Sequence, residues 1–427
     1  MQEEFLHYLW KFRLFDEKNI LTQSGEPIEI LKCGEPNSDS GPDFFNAKIK
    51  IGKTIWAGNA EIHVNASDWE THKHHYDKAY DNVILHVVYE ADKELKRKNG
   101  EIIPTLELKD RIPKNIYQKY LSFKSSRDWI PCGKQIKDVD SFTLNHWLDR
   151  LLAERLERKS ISILESLKQN KNNWEETFYR QLARNFGLKI NAEPFELLAK
   201  TLPVSVLGKH KNSLLQIESL LFGTAGLLEK DLKDDYAVGI QKEFQFLKQK
   251  FKLKPIDASL WKFMRLHPPN FPTIRISQFA NIIYKSSHLF SKIIEAKNEK
   301  AIRDLFFCET SEYWQIHYRF DKSSPKRKKI LGNDAVNNII INTIAPFIFI
   351  YGKEKGQENY VERALELLEK IPPEKNSIIS KWKETGVNAK NAYETQALLQ
   401  LKNEYCSKKQ CLECSVGAKL LSANSFN

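Results

Sequence analysis

Residues 82–89 read Asn-Val-Ile-Leu-His-Val-Val-Tyr, an almost unbroken apolar run. A strand of this composition is buried on both faces, so it belongs inside a sheet that is covered on both sides. Upstream, Ile28–Lys32 reads as a short strand. Phe44–Ile51 alternates, meets a Gly52-Lys53 turn, and Thr54–Val64 returns, which makes a hairpin. Residues 3–15 read as an amphipathic helix, with Phe5, Leu6, Leu9, Trp10 and Leu14 on one side and Glu3 and His7 one turn apart on another. Asp68–Tyr80 has helical character with Asp68 as its N-cap, and Ile102–Leu108 is one more strand. Within about the first hundred residues the order is helix, three strands, helix, strand.

Beyond residue 112 the pattern changes to helical periods, beginning with the long charged helix Ser141–Lys168. A chain of 427 residues is too long for one ordinary core. The expected fold class is α+β: an α/β module over residues 1–112, then a mostly α-helical body over residues 113–427 that carries a C-terminal cysteine cluster. The longest apolar stretch, Ile339–Tyr351, is interrupted by Asn342, Thr343 and Pro346. It reads as a buried helix or paired segments, and no stretch is expected to span or bind a membrane. The N-terminus MQEEFLHYLW carries acids where a signal peptide needs bases, so the expected location is cytoplasmic, with reduced thiols. The formal net charge is +11. Such a balance favours a nucleic-acid partner through phosphate contacts, although ordinary lysine-rich surfaces share it.

The chemistry concentrates in Gly41-Pro42-Asp43-Phe44 and Glu61-Ile62-His63. Asp43 stands at the mouth of one strand of the hairpin, and Glu61 and His63, two apart on the other, point to one face. Two carboxylates brought together repel unless a cation lies between them, and a hard ion such as Mg²⁺ or Mn²⁺ is the usual solution. His72, His74, His75 and Asp77 follow closely, with His86 on the next strand. His74 is placed to add a metal ligand or a proton donor. His72 and Lys73 read as a solvated face, and His86 as a hydrogen-bonded core histidine.

With Pro-Asp on one strand and Glu-x-basic on the next, in this order of elements, the N-terminal part resembles the PD-(D/E)XK, or restriction-endonuclease-like, phosphodiesterase superfamily. The resemblance implies a metal-dependent nuclease hydrolysing phosphodiester bonds of DNA or RNA. It implies Asp43 and Glu61 as metal ligands, His63 in the place of the water-positioning lysine, and Glu3 as an acid from the first helix. Histidine brings no permanent ammonium charge there, and Lys48 or Lys73 could supply one. The alternative is a non-catalytic nucleic-acid-binding or assembly protein that keeps the fold. An open cleft around Asp43, Glu61 and His63 favours the enzyme, and a buried, mutually capped trio favours the alternative. Over its full length the chain also resembles an uncharacterised bacterial family defined as a domain of unknown function. SGPDFFNAKI at Ser40–Ile49, EIHVNASDW at Glu61–Trp69 and YCSKKQCLECSVG at Tyr405–Gly417 carry that likeness.

Cys406, Cys411 and Cys414 form C-x4-C-x2-C. Clustered thiolates in a reducing compartment suit Zn²⁺ or an iron–sulfur cluster. Cys132 is the expected fourth ligand, with Cys308 and Cys33 as alternatives; the other reading is three small apolar residues at a helix junction. Arg265 and Arg275 flank a proline-rich loop and could meet a phosphate or satisfy carbonyls. Lys326, Arg327, Lys328 and Lys329 form a basic loop suited to a phosphate backbone. A protein partner is also open.

Overall fold

The computed structural model describes residues 1–423 apart from residues 38 and 230. The chain is of mixed α+β class, with a strand-rich N-terminal part followed by a mostly helical body. It divides into two compact units. The first comprises residues 1–147, 384–387 and 401–427, and the second residues 148–383 and 388–400. The expected boundary at residue 112 thus lies inside the first unit, and the C-terminal cysteine segment belongs with that unit and not with the helical body.

In the first unit, helix α1 (Glu3–Phe12) buries Phe5, Leu6, Leu9 and Trp10, the side the sequence pattern marked. The sheet has strands β1 (Ile28–Lys32), β2 (Glu35–Pro36), β3 (Phe44–Ile51), β4 (Thr54–Asn65), β5 (Val83–Glu90) and β6 (Thr105–Glu107). Its order is β1-β3-β4-β5-β6, with the two-residue β2 paired to β3. The first three long strands form an antiparallel meander, while β4–β5 and β5–β6 are parallel. As the apolar run requires, β5 is an interior strand, with every residue from Val83 to Val88 buried.

Two local irregularities aim the polar side chains. The β3–β4 register shifts between Phe44 and Ala47, and Asn46 at the shift takes φ 56°. Such a bulge bends its strand and redirects the residues beside it. Between β4 and β5 the expected helix over Asp68–Tyr80 is broken. A single turn α2 (Asp68–Thr71) gives way to 3₁₀ turns at His74–Tyr76 and Lys78–Tyr80, with Lys73 between them at φ 63°. Buried Trp69 and Tyr80 hold this segment against Ala66, Val83, Val88, Leu95 and Ile103.

The second unit is helical. Trp174–Phe186, Leu214–Thr224, Asp235–Phe251 and Pro272–Lys285 are among its helices, and its core includes Phe178, Phe195, Phe279 and Phe347. The stretch expected as one helix, Ile274–Lys297, is two: Pro272–Lys285 and Leu289–Glu295, parted by His288 at φ 56°. Asn333–Lys355 is one 23-residue helical run, a buried helix as one of the two expectations had it, although long and apolar enough to cross a membrane by length and composition. Within its unit 72% of its apolar window is buried, which marks it as a core helix. A π turn at Ile340–Ile344 absorbs the polar interruptions. Thr343 Oγ1 accepts from Asn185 Nδ2 at 2.8 Å, and Asn342 Oδ1 accepts from Lys159 Nζ at 3.0 Å.

Candidate metal centre

Phe44 pairs with Ala60, so Asp43 arrives beside Glu61 where β3 enters the sheet. The two acids cap each other's strands: the Asp43 backbone N–H donates to Glu61 Oε2 at 3.0 Å, and the Ile62 N–H donates to Asp43 Oδ2 at 2.9 Å. Glu61 and His63, two apart on β4, share a face as expected, and both are buried. The broken segment after β4 then brings two more histidines over them. Around His63 Nε2 lie His72 Nδ1 at 3.1 Å, His74 Nε2 at 3.3 Å and Glu61 Oε1 at 3.6 Å, with His74 Nε2 and Glu61 Oε1 3.3 Å apart. In a regular helix, side chains two apart diverge. The left-handed turn at Lys73 is what lets His72 and His74 converge. His74 stacks on Tyr80 with ring centroids 3.8 Å apart, which fixes its plane.

The three imidazole nitrogens lie within 4.8 Å of one another, and Glu61 Oε1 adjoins two of them. In a coordination tetrahedron, metal–nitrogen bonds of about 2.05 Å give edges of about 3.3–3.4 Å. Electrostatics agree. Burial, with help from His86, His74 and His72, pushes the His63 pKa down to about 2, and burial pushes His86 down to about 3, so both rings are neutral. His63 Nδ1 lies 2.8 Å from His86 Nε2. The tautomer that donates Nδ1–H to His86 turns the Nε2 lone pair of His63 toward Glu61, His72 and His74. Burial raises the Glu61 pKa, and the nearby Asp43 charge adds to it, a cost that a cation among these groups offsets.

The mouth of the site is less buried. The side chains of Asp43 and His7 are 22% and 33% exposed, and His72 is exposed. His7 Nε2, from α1, lies 3.3 Å from Asp43 Oδ2. Burial opposes the charge of His7, but Asp43, Glu3 and Glu61 outweigh it and raise its pKa. Glu3, one turn earlier on α1, is raised chiefly by partial burial, with the charges of His7, Asp43 and His72 in reach.

Asp43, Glu61, His63, His74 and Glu3 are therefore gathered at one corner of the sheet. His72, expected as a solvated residue, joins them; the His-x-His spacing was its signal. His7 was also missed, and its signal was the one-turn spacing from Glu3. His86 is the hydrogen-bonded core histidine expected of it. His75 stands apart, and Asp77 caps the turn at Ala79 N. Lys48 and Lys73 are exposed. An open polar cavity of about 510 Å³, lined by Asp16, Lys18, Gln23, Glu107 and Arg111 among others, lies away from these ligands.

Two of the expected phosphate-binding residues turn inward. Arg275 is 8% exposed and donates to Asn270 Oδ1 and Gln278 Oε1. Lys329 is 5% exposed and donates to the carbonyls of Trp314 and His317. Neither can reach a phosphate, because each cation is already committed to internal acceptors. Arg265, Lys326, Arg327 and Lys328 remain exposed.

The fold and site define a mixed α+β protein with a histidine–carboxylate corner built on a meander-plus-parallel sheet. The chain belongs to the family described as "Protein of unknown function (DUF2851)", which it matches over residues 3–377. No curated protein and no solved structure matches it.

Proposed function

We propose that this protein is a metal-dependent phosphodiesterase acting on nucleic acid, with Glu61, His63, His72 and His74 as the ion's ligands and Asp43 and His7 at its mouth. The observation that carries the reading is the convergence of three imidazole nitrogens, with the Glu61 carboxylate 3.3 Å from His74 Nε2 and Asp43 beside it. An antiparallel meander followed by a parallel strand, with the acids on neighbouring strands, supports kinship with the PD-(D/E)XK phosphodiesterases. The donor set departs from theirs. Imidazole-rich sites favour ions such as Zn²⁺ or Fe²⁺ over Mg²⁺, so zinc or ferrous iron is expected in place of the magnesium or manganese that carboxylates alone would take.

When bound, such an ion supplies Lewis-acid stabilisation to a phosphodiester. The chain does the rest. His63 stays neutral through burial and is oriented by His86. Asp43 is anchored by the Ile62 N–H at the mouth, where it can orient a water. His7 keeps its proton to higher pH than a free histidine and is placed to give it to a leaving oxygen. Exposed Arg265, Lys326, Arg327 and Lys328 add phosphate affinity, and the cytoplasm is the compartment in which such a substrate is met.

The burial of Glu61 and His63 and the mutual capping of Asp43 and Glu61 favour a second reading, a metal-bound but non-catalytic nucleic-acid-binding or assembly protein. One experiment separates them. The protein is loaded in turn with Zn²⁺, Fe²⁺, Mn²⁺ and Mg²⁺ and incubated with single- and double-stranded DNA and RNA, alongside Asp43→Ala. Cleavage with a transition ion that vanishes in Asp43→Ala, with binding retained, supports the enzyme. Binding without cleavage under every ion leaves the second reading, and neither binding nor cleavage removes both.

A further inference from the structure

A second ligand cluster lies in the first unit and shares no residue with the histidine–carboxylate corner. Cys132, Cys406, Cys411 and Cys414 line one small cavity together with Pro131, Tyr405, Gln410 and Gly417. Four of the chain's six cysteines thus line one cavity, although Cys132 is far from the others in sequence. None is disulfide-bonded. The turn that brings them together is tight. Cys406 ends a π turn (Leu401–Cys406), Lys409 takes φ 55°, and Cys414 stands just before the helix Ser415–Ser422. Gly417 is demanded there, since a Cβ would lie 2.1 Å from the Cys411 carbonyl oxygen.

The backbone of Val416 and Gly417 and the indole of Trp147 lie near the Cys414 sulfur. Lys402 and Lys409 place positive charge near Cys406 and Cys411. Sulfurs that line one small, largely buried cavity are a donor set that suits a soft cation.

We propose that Cys132, Cys406, Cys411 and Cys414 form a tetrathiolate centre that takes a thiophilic metal, either one zinc ion or one iron–sulfur cluster, and clasps the C-terminal segment to the first unit. The segment is also tied by buried Val416 and Leu421, by a Tyr405–Trp147 ring contact and by hydrogen bonds to carbonyls. Tyr8 Oη donates to the Ala418 carbonyl at 3.2 Å, Lys119 Nζ to that of Ala423 at 2.7 Å, and Lys402 Nζ to that of Trp129 at 2.8 Å.

The test uses the full chain purified without oxygen or chelator. Metal analysis distinguishes the two occupants: about one zinc per chain with no visible absorption, or several irons with acid-labile sulfide and a broad visible band. X-ray absorption at the edge of the metal found should report sulfur neighbours at about 2.3 Å, where ions at the histidine corner give nitrogen and oxygen. Cys132→Ser and Cys411→Ser should each lose most of this metal and expose the segment after residue 400 to limited proteolysis. Cys308→Ser, a buried cysteine of the second unit, should keep both metal and protease resistance. His72→Ala should leave the sulfur-ligated metal in place. Metal ligated only by nitrogen and oxygen overturns the proposal, as does a chain with neither zinc nor iron, or a disulfide among the four in the native protein. If the serine variants fail to fold, the absorption measurement on the wild-type chain decides alone.

Discussion

The histidine–carboxylate corner is built from neighbours in sequence, all but its two α1 residues falling between Asp43 and His86, while the cysteine pocket joins Cys132 to residues beyond 400. The first is held by a sheet that would form without it: Glu61, His63 and His86 sit on interior strands whose other face is apolar. The second joins segments far apart in the chain and rests on a tight turn, a π turn, buried Val416 and Leu421 and hydrogen bonds to carbonyls. An ion at the corner acts on a scaffold already made, which suits chemistry. An ion at the cysteines would itself be part of the scaffold, which suits stability.

Substitutions can break this contrast, and the largest effect is expected at the corner. His72→Ala removes an exposed ligand and should lower any metal-dependent cleavage by about a thousandfold, the several kcal/mol of a displaced Lewis acid, with little change in melting temperature. Equal loss of activity and of Tm would mean that the corner is structural too. Cys411→Ser should do the reverse. Losing about 4 kcal/mol of metal linkage lowers Tm by about 10 °C for a domain of this size, as calorimetry would show, while cleavage at low temperature is retained. His86→Ala should weaken metal affinity at the corner by about 10–100-fold without removing a ligand, measured by competition with a chelator dye. The smallest effect concerns the basic loop. Replacing Lys326, Arg327 and Lys328 by Gln should flatten the salt dependence of nucleic-acid binding, with an unchanged melt. The log–log slope should fall by about 0.9 for each phosphate that is no longer neutralised. Lys329→Gln should leave the slope alone and lower Tm, since its amine serves the Trp314 and His317 carbonyls.

Much of the first unit was legible because its signals are local. β1, β3 and the start of β4 follow from alternation and from the Gly52 turn, and β5 from its apolar run. The placement of Asp43 opposite Glu61 follows from the hairpin register. Cys132 stood out as the partner of the C-terminal cysteines because the chain offers few other thiols. Other features were hidden because backbone choices overrode periodicity. The polar run after Trp69 has helical composition, but Lys73 takes a left-handed conformation, beside which His72, though exposed, reaches His63. Lys329 and Arg275 read as surface cations because charge alone does not reveal which side chains find carbonyl or amide acceptors inside. Nor could composition show that a run holding Asn342 and Pro346 would continue as one helix through a π turn.

The left-handed residue between the two histidines proposed as ligands has a consequence for ion selectivity. The bite of His72 and His74 is set by one dihedral, φ 63° at Lys73, a residue whose own side chain is exposed. Lys73→Gly adopts that angle without strain and lets it vary, so the gap between the histidines can follow the radius of whatever ion arrives. Competitive titration should then find the discrimination between small and large divalent ions narrowed. Lys73→Val resists the angle and should weaken every ion alike. Discrimination that stays the same in Lys73→Gly would place the size filter in the rigid strands below, with the hinge only presenting the ligands.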